Sequence, residues 1–281
     1  MSPDRPEAAY TGSAADLALR ALDALRGIGG TATIAEHVEK ADDPRAALAA
    51  IRVVGADTFA PYLLAEAVFH PQDAAAVTRS FEVFPPPATA PAPPPAGPAE
   101  PWLVAWRDWA TTALLTRFAQ AGPEPALGAT APADTDPYGV GQNPEPGVAH
   151  VRRPSGAPEL TEPAPARATG TVPDPGTPWQ AWSVRMGQLS PLALPGLDGP
   201  VHDAARAAPL ALARGATRAV LRRDFSTAAR ITRWLALLTA EGVRLPLDPL
   251  PLVEHLGLHG GGPRLALDVA ISRRLLALEG T

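Results

Sequence analysis

Residues 102–120 read WLVAWRDWATTALLTRFAQ, and their spacing decides the fold class. Trp102, Trp106 and Trp109 fall at i, i+4 and i+7, so one face of an α-helix would carry all three indoles. Leu103, Leu114 and Phe118 widen that apolar arc. The preceding residues, 85–101, read PPPATAPAPPPAGPAEP, and residues 122–177 are also rich in proline. The two stretches hold nine and twelve of the chain's 35 prolines. Proline lacks an amide donor and pushes the residue before it out of helical geometry, so neither stretch suits the interior of a helix or sheet. Extended linkers or irregular surface wraps are expected there, the longer one being disordered or laid along the folded part.

Helical periodicity continues on both sides. Ser13 is read as the cap of a helix to about Arg26, with Leu17, Leu22 and Leu25 on one side and Gly27, Gly29 and Gly30 ending it. A short helix is expected near 34–40. Asp43 before Pro44 signals the start of a helix to about Val54, a capping carboxylate ahead of proline at the first helical position. Further helices are expected at 58–69, 72–80, 178–189, 200–213, 215–223, 226–241 (capped by Ser226 and closed by Gly242), 249–256 and 263–279. No segment alternates apolar and polar residues long enough to argue a sheet, Val151 and its neighbours being the weak exception, and no repeat of fixed period is visible.

The expected fold is therefore all-α, an irregular multi-helix bundle interrupted by long proline-rich segments. Its regions are an N-terminal helical region (1–84), a proline-rich linker (85–101), the tryptophan-bearing helix (102–121), a proline/glycine-rich segment (122–177) and an arginine-rich helical region (178–281). The three helical regions are expected to pack as one unit.

Composition narrows the function classes. The 281 residues include 24 basic and 29 acidic side chains, a net charge of −5, and no cysteine. That removes a disulfide-stapled scaffold, thiolate metal sites and a cysteine nucleophile. The acidic balance argues against a protein that coats nucleic acid. No run of about 18 consecutive apolar residues and no charged-then-apolar export signal is seen, so a cytoplasmic protein without a membrane partner is expected. Aromatics are 5% of the chain and alanine supplies much of its apolar content, a composition suited to close helix packing. Lys40 is the sole lysine, a bias that fits a GC-rich bacterial genome.

Several constellations are candidates for chemistry. Arg214, Arg218 and Arg222 are spaced by four, with Arg206 and Arg223 nearby, and no acid lies between Asp203 and Asp224. Residues 1–199 hold 13 basic and 22 acidic groups, whereas residues 200–281 hold 11 and 7. Like charges four apart repel on a helix, so the stripe asks for an anionic counterpart, from the acidic first part of the chain, a partner protein or a phosphate-bearing ligand. His255 and His259, four apart in LVEHLGLHGGG, are the candidate metal pair, with Asp268 or Asp203 as a third ligand. The glycines around them suggest a helix that frays between them, leaving the imidazoles to cap its last turn; His202 beside Asp203 has the same bland reading. Trp102, Trp106 and Trp109, with Trp179 and Trp182, would wall an aromatic pocket for a small molecule or simply fill the core.

Residues 14–54 have the outline of a helix-turn-helix. Its third helix, PRAALAAIRVV, offers only Arg45 and Arg52, amid Glu36, Glu39, Asp42 and Asp43, so nucleic acid is not expected as a partner. Phosphate-loop, G-x-S-x-G, H-E-x-x-H and dinucleotide motifs are absent, and no cofactor is expected. The resulting expectation is a cytoplasmic accessory protein that docks an acidic protein partner through Arg214, Arg218, Arg222 and Arg223. The alternative is a helical enzyme of bacterial specialised metabolism, its pocket between the tryptophan helix and the C-terminal helices.

Overall fold

Asp43 begins a helix as its sequence dictates: its carboxylate accepts from the amides of Arg45 and Ala46, at 2.9 and 3.1 Å, and Pro44 takes the first turn. In the computed structural model, which describes residues 4–28, 33–86, 99–120 and 178–277, this is the third of twelve α-helices. They are α1 (Asp4–Leu25), α2 (Thr33–Glu39), α3 (Pro44–Val54), α4 (Ala60–Leu64), α5 (Pro71–Val83), α6 (Ala99–Gln120), α7 (Trp179–Gln188), α8 (Pro200–Ala207), α9 (Pro209–Leu221), α10 (Phe225–Ala240), α11 (Leu250–Gly257) and α12 (Gly262–Ala277). Two 3₁₀ segments, Gly55–Phe59 and Ser190–Leu192, complete the secondary structure, and no strand occurs among the described residues. The fold is all-α. The tract 122–177, most of 85–101 and the weak strand candidate at Val151 lie outside the described residues.

Four local expectations give way to tertiary structure. The first helix begins at Asp4, not at Ser13, whose hydroxyl sits within α1 and meets His37 Nε2 at 3.1 Å. The expected helix over 58–69 is instead the 3₁₀ segment followed by the short α4, because α3 stops at Gly55 with φ of 64°, where its amide bonds back to Ile51. Asp224, not Ser226, caps α10, accepting from the Thr227 amide at 3.1 Å. The break expected near Arg214 falls at Ala208–Pro209.

The apolar faces share one large core. Leu17, Leu22 and Leu25 of α1, Ile51 of α3, Trp102 and Leu114 of α6, and Trp234 and Ile271 of α10 and α12 belong to it. A smaller cluster under α9–α12 contains Ala228, Val253, Leu256 and Val269. Trp102 and Trp106 are 2% and 8% exposed, so the tryptophan stripe is core filling. The run Pro44–Leu64 has the length and composition to cross a membrane, but it is largely buried within the protein.

At the centre lies a charge. Arg233 of α10 is fully buried and donates to Asp57 Oδ1 at 2.6 Å and Asp268 Oδ1 at 2.8 Å. Arg264, at the start of α12, closes the network on Asp57 Oδ2 and on Asp268 Oδ2, the latter at 3.3 Å. Asp57 comes from the 3₁₀ segment after α3, so two carboxylates and two guanidiniums tie the N-terminal helices to α10 and α12. Burial alone would push the Asp57 carboxyl up, but the Arg233 and Arg264 charges outweigh it and hold it below the usual carboxylate range.

Replacing Asp57 with asparagine leaves Arg233 half-neutralised in the interior. Urea unfolding of Asp57→Asn should show a loss of roughly 3–5 kcal/mol. Because the folded-state pKa of Asp57 is depressed, its contribution is present above the ordinary carboxylate range and is lost as pH falls through the folded-state value. The wild type should therefore lose stability below about pH 4 more steeply than the variant.

Candidate functional site

The outward face of α9 carries the unusual charge pattern. Leu212, Ala213, Ala216 and Ala219 turn inward, which leaves Leu210, Arg214, Arg218, Leu221 and Arg222 along the opposite side. Arg214, Arg222 and Arg223 are exposed, and the Arg218 guanidinium lies 5.9 Å from the Trp179 ring centroid. Among the described residues none of these four arginines makes an ion pair. Arg206, grouped with them by sequence, is satisfied on α8: it holds Glu241 with two bonds, at 2.9 and 3.0 Å, and reaches Asp198 and Asp203. Leu221 is 79% exposed and Leu210 49%, so apolar and cationic groups share the face.

Two backbone features fix this presentation. Gly215 faces α7 so closely that a Cβ would come within 2.3 Å of the Ser183 Cβ. Gly215, which the sequence places at the start of an expected helix, is thus the contact point that seats α9. At the other end Arg223 adopts φ of 59°, left-handed geometry that ordinarily favours glycine. Its amide donates to the Val220 carbonyl at 2.8 Å and that of Asp224 to Ala219 at 2.9 Å, closing a Schellman motif around an arginine.

The histidine pair does come together. His255 Nε2 and His259 Nε2 are 3.3 Å apart although α11 ends between them, because the Phe225 ring stacks on His259 at 3.8 Å and steadies it. Two imidazoles converge, but no group of three histidines or carboxylates suited to a metal occurs among the described residues. The carboxylates paired with them by sequence are engaged elsewhere, Asp268 by Arg233 and Asp203 by Arg206. His202 is buried in α8, its Nε2 3.0 Å from the Leu192 carbonyl and its ring edge-on to Trp234. Burial holds its pKa below the ordinary value.

The tryptophans likewise serve packing. Trp109, half-buried, sits edge-on to Trp106 at 5.4 Å, and the Trp234 indole donates to the Met186 carbonyl at 2.7 Å. The dense aromatic cluster is a different one: Phe118 stacks on Phe59 at 5.8 Å and meets Tyr62 and Phe69. Arg52, considered above for DNA contact, is bound to Asp108 at 3.0 and 2.5 Å and lies over the Phe81 ring. No protein-family model, curated protein or solved structure was found to match the chain.

Substitution at the two backbone positions should have opposite effects. Gly215→Ala forces α9 away from Ser183 and should destabilise the fold by about 1–3 kcal/mol. Arg223→Gly relieves the left-handed arginine and should stabilise it by roughly 1 kcal/mol, both read by chemical denaturation.

Proposed function

We propose that the chain is a cytoplasmic helical accessory protein that captures an acidic protein partner on the outward face of α9. The observation that carries this reading is the set Arg214, Arg218, Arg222 and Arg223, four guanidiniums without a carboxylate among the described residues. Arg206 on the neighbouring α8 has three carboxylates and Arg273 on α12 has Glu254, so the region does not lack pairing chemistry in general. Exposed Leu210 and Leu221 supply the apolar contacts that protein interfaces place among such charges. Arginine forks match carboxylates with two parallel bonds, which makes a segment alternating acidic and apolar residues the complementary partner. Retention of a left-handed arginine at position 223 points the same way, since glycine there would stabilise the turn and remove a charge. The second reading, a helical enzyme of specialised metabolism, draws support from a cleft lined by Arg107 of α6, Arg230 of α10 and Arg264 of α12, where guanidiniums outnumber the carboxylates that reach them.

Fluorescence anisotropy with a labelled peptide of alternating glutamate and leucine tests the acidic-partner reading. Wild-type protein should bind it, with affinity falling as salt rises, and Arg218→Glu with Arg222→Glu should reduce binding at least tenfold. No binding by the wild type, or unchanged binding by the double variant, rejects the role.

A further inference from the structure

We propose that the cleft between α1, α3, α6, the end of α7 with the 3₁₀ segment Ser190–Leu192, α10 and the first turn of α12 is a binding site for a small phosphomonoester. It has a volume of about 290 Å³ and is lined by three guanidiniums, those of Arg107, Arg230 and Arg264. No acidic residue is among its lining.

Charge accounting shows why an anion belongs there. Arg264 reaches Asp57 and Asp268, but the same two carboxylates already neutralise the fully buried Arg233. Arg230 approaches only Asp268, at 4.0 Å. Arg107 has no carboxylate partner among the described residues, because the neighbouring Asp108 is taken by Arg52. Four guanidiniums thus face two carboxylates, and two positive charges remain, matching a phosphomonoester dianion. Burial, followed by the charges of Arg264 and Arg230, lowers the Arg107 pKa, the electrostatic mark of crowded cations.

Hydrogen-bond accounting agrees. Ser190 lines the cleft, is 1% exposed, and its Oγ has no partner. The buried Arg107 Nε is likewise without an acceptor. Buried polar groups are rarely left so, and two donors at one cleft ask for acceptor oxygens. Gly262 and Arg264 bring the positive end of the 16-residue α12 to the same place. Ala14, Ala15, Ala18, Val53 and Val54 add apolar lining that suits the organic part of a small ester. The volume is at the lower end for ligand sites, which favours a compact phosphomonoester over a nucleotide.

The site is separate from the outward face of α9, and its test is independent of the partner-capture experiment. Full-length protein is titrated with phenyl phosphate, inorganic phosphate and benzoate by calorimetry, and thermal unfolding is followed at matched ionic strength. The expected result is one-to-one binding of phenyl phosphate, tighter than benzoate, with a rise in Tm that sodium chloride does not reproduce. Arg107→Gln and Arg230→Gln should each weaken binding about tenfold or more, the loss of one charge-assisted bond. Ligand-free Arg107→Gln should unfold no earlier than wild type, since it removes a repelled charge. Arg218→Glu with Arg222→Glu should bind phenyl phosphate normally. Absence of saturation at millimolar ligand, preference for benzoate, equal stabilisation by chloride, or undiminished affinity in the arginine variants overturns the assignment. If Arg107→Gln fails to fold, Arg230→Gln, at a partly exposed side chain, decides the question.

Discussion

A fully buried guanidinium holds the molecule together. Arg233 would be untenable in an apolar interior without its two carboxylates, and those come from opposite ends of the chain, Asp57 and Asp268. A buried ion pair adds little stability over a well-packed apolar core, yet losing one partner is severe. Its effect is positional: α10 cannot enter the core in any register that separates Arg233 from Asp57. With α10 placed, α9 and α7 pack on one side, α12 on another, and α6 covers the 3₁₀ segment that supplies Asp57.

Around this tie the packing relies on small residues. Buried alanines on α3, α9 and α10 let helix backbones approach closely, and Gly215 does so most tightly against Ser183. Close approach of backbones compensates for the low aromatic content, because contact area per residue rises as the helices near each other. It also makes α9 a stiff rod whose outward side chains are held in fixed register, which suits recognition of a charged partner. The same central network leaves its surplus positive charge at the cleft, so the element that organises the core also sets the electrostatics of the ligand site.

Helical periodicity was legible in the sequence wherever it was local. The Asp43–Pro44 start, the ends of α3 and α7, and a helix carrying the tryptophans are present as the spacing indicated, although that helix also takes in residues 99–101 of the expected linker. Features set by distant residues were not. Asp57 lay just ahead of an expected helix with nothing nearby to pair it, and its partner Arg233 is 176 residues away. The break expected near Arg214 lies at Ala208–Pro209, and the role of Gly215, a close contact with Ser183 of α7, is set by a distant residue. Ser13 and Ser226 looked like caps, but α1 runs past the first and Asp224 pre-empts the second. The arginine excess was attributed to genome composition, which hid Arg107, Arg230 and Arg264; only the packing of α6, α10 and α12 brings them to one cleft.

Hydrogen–deuterium exchange on wild type and Asp57→Asn tests the central dependence most directly. If the buried tie couples the two ends of the chain, the variant loses protection in α3 and equally in α10 and α12. Loss of protection confined to residues 44–64, with α10 and α12 exchanging as in the wild type, would contradict it.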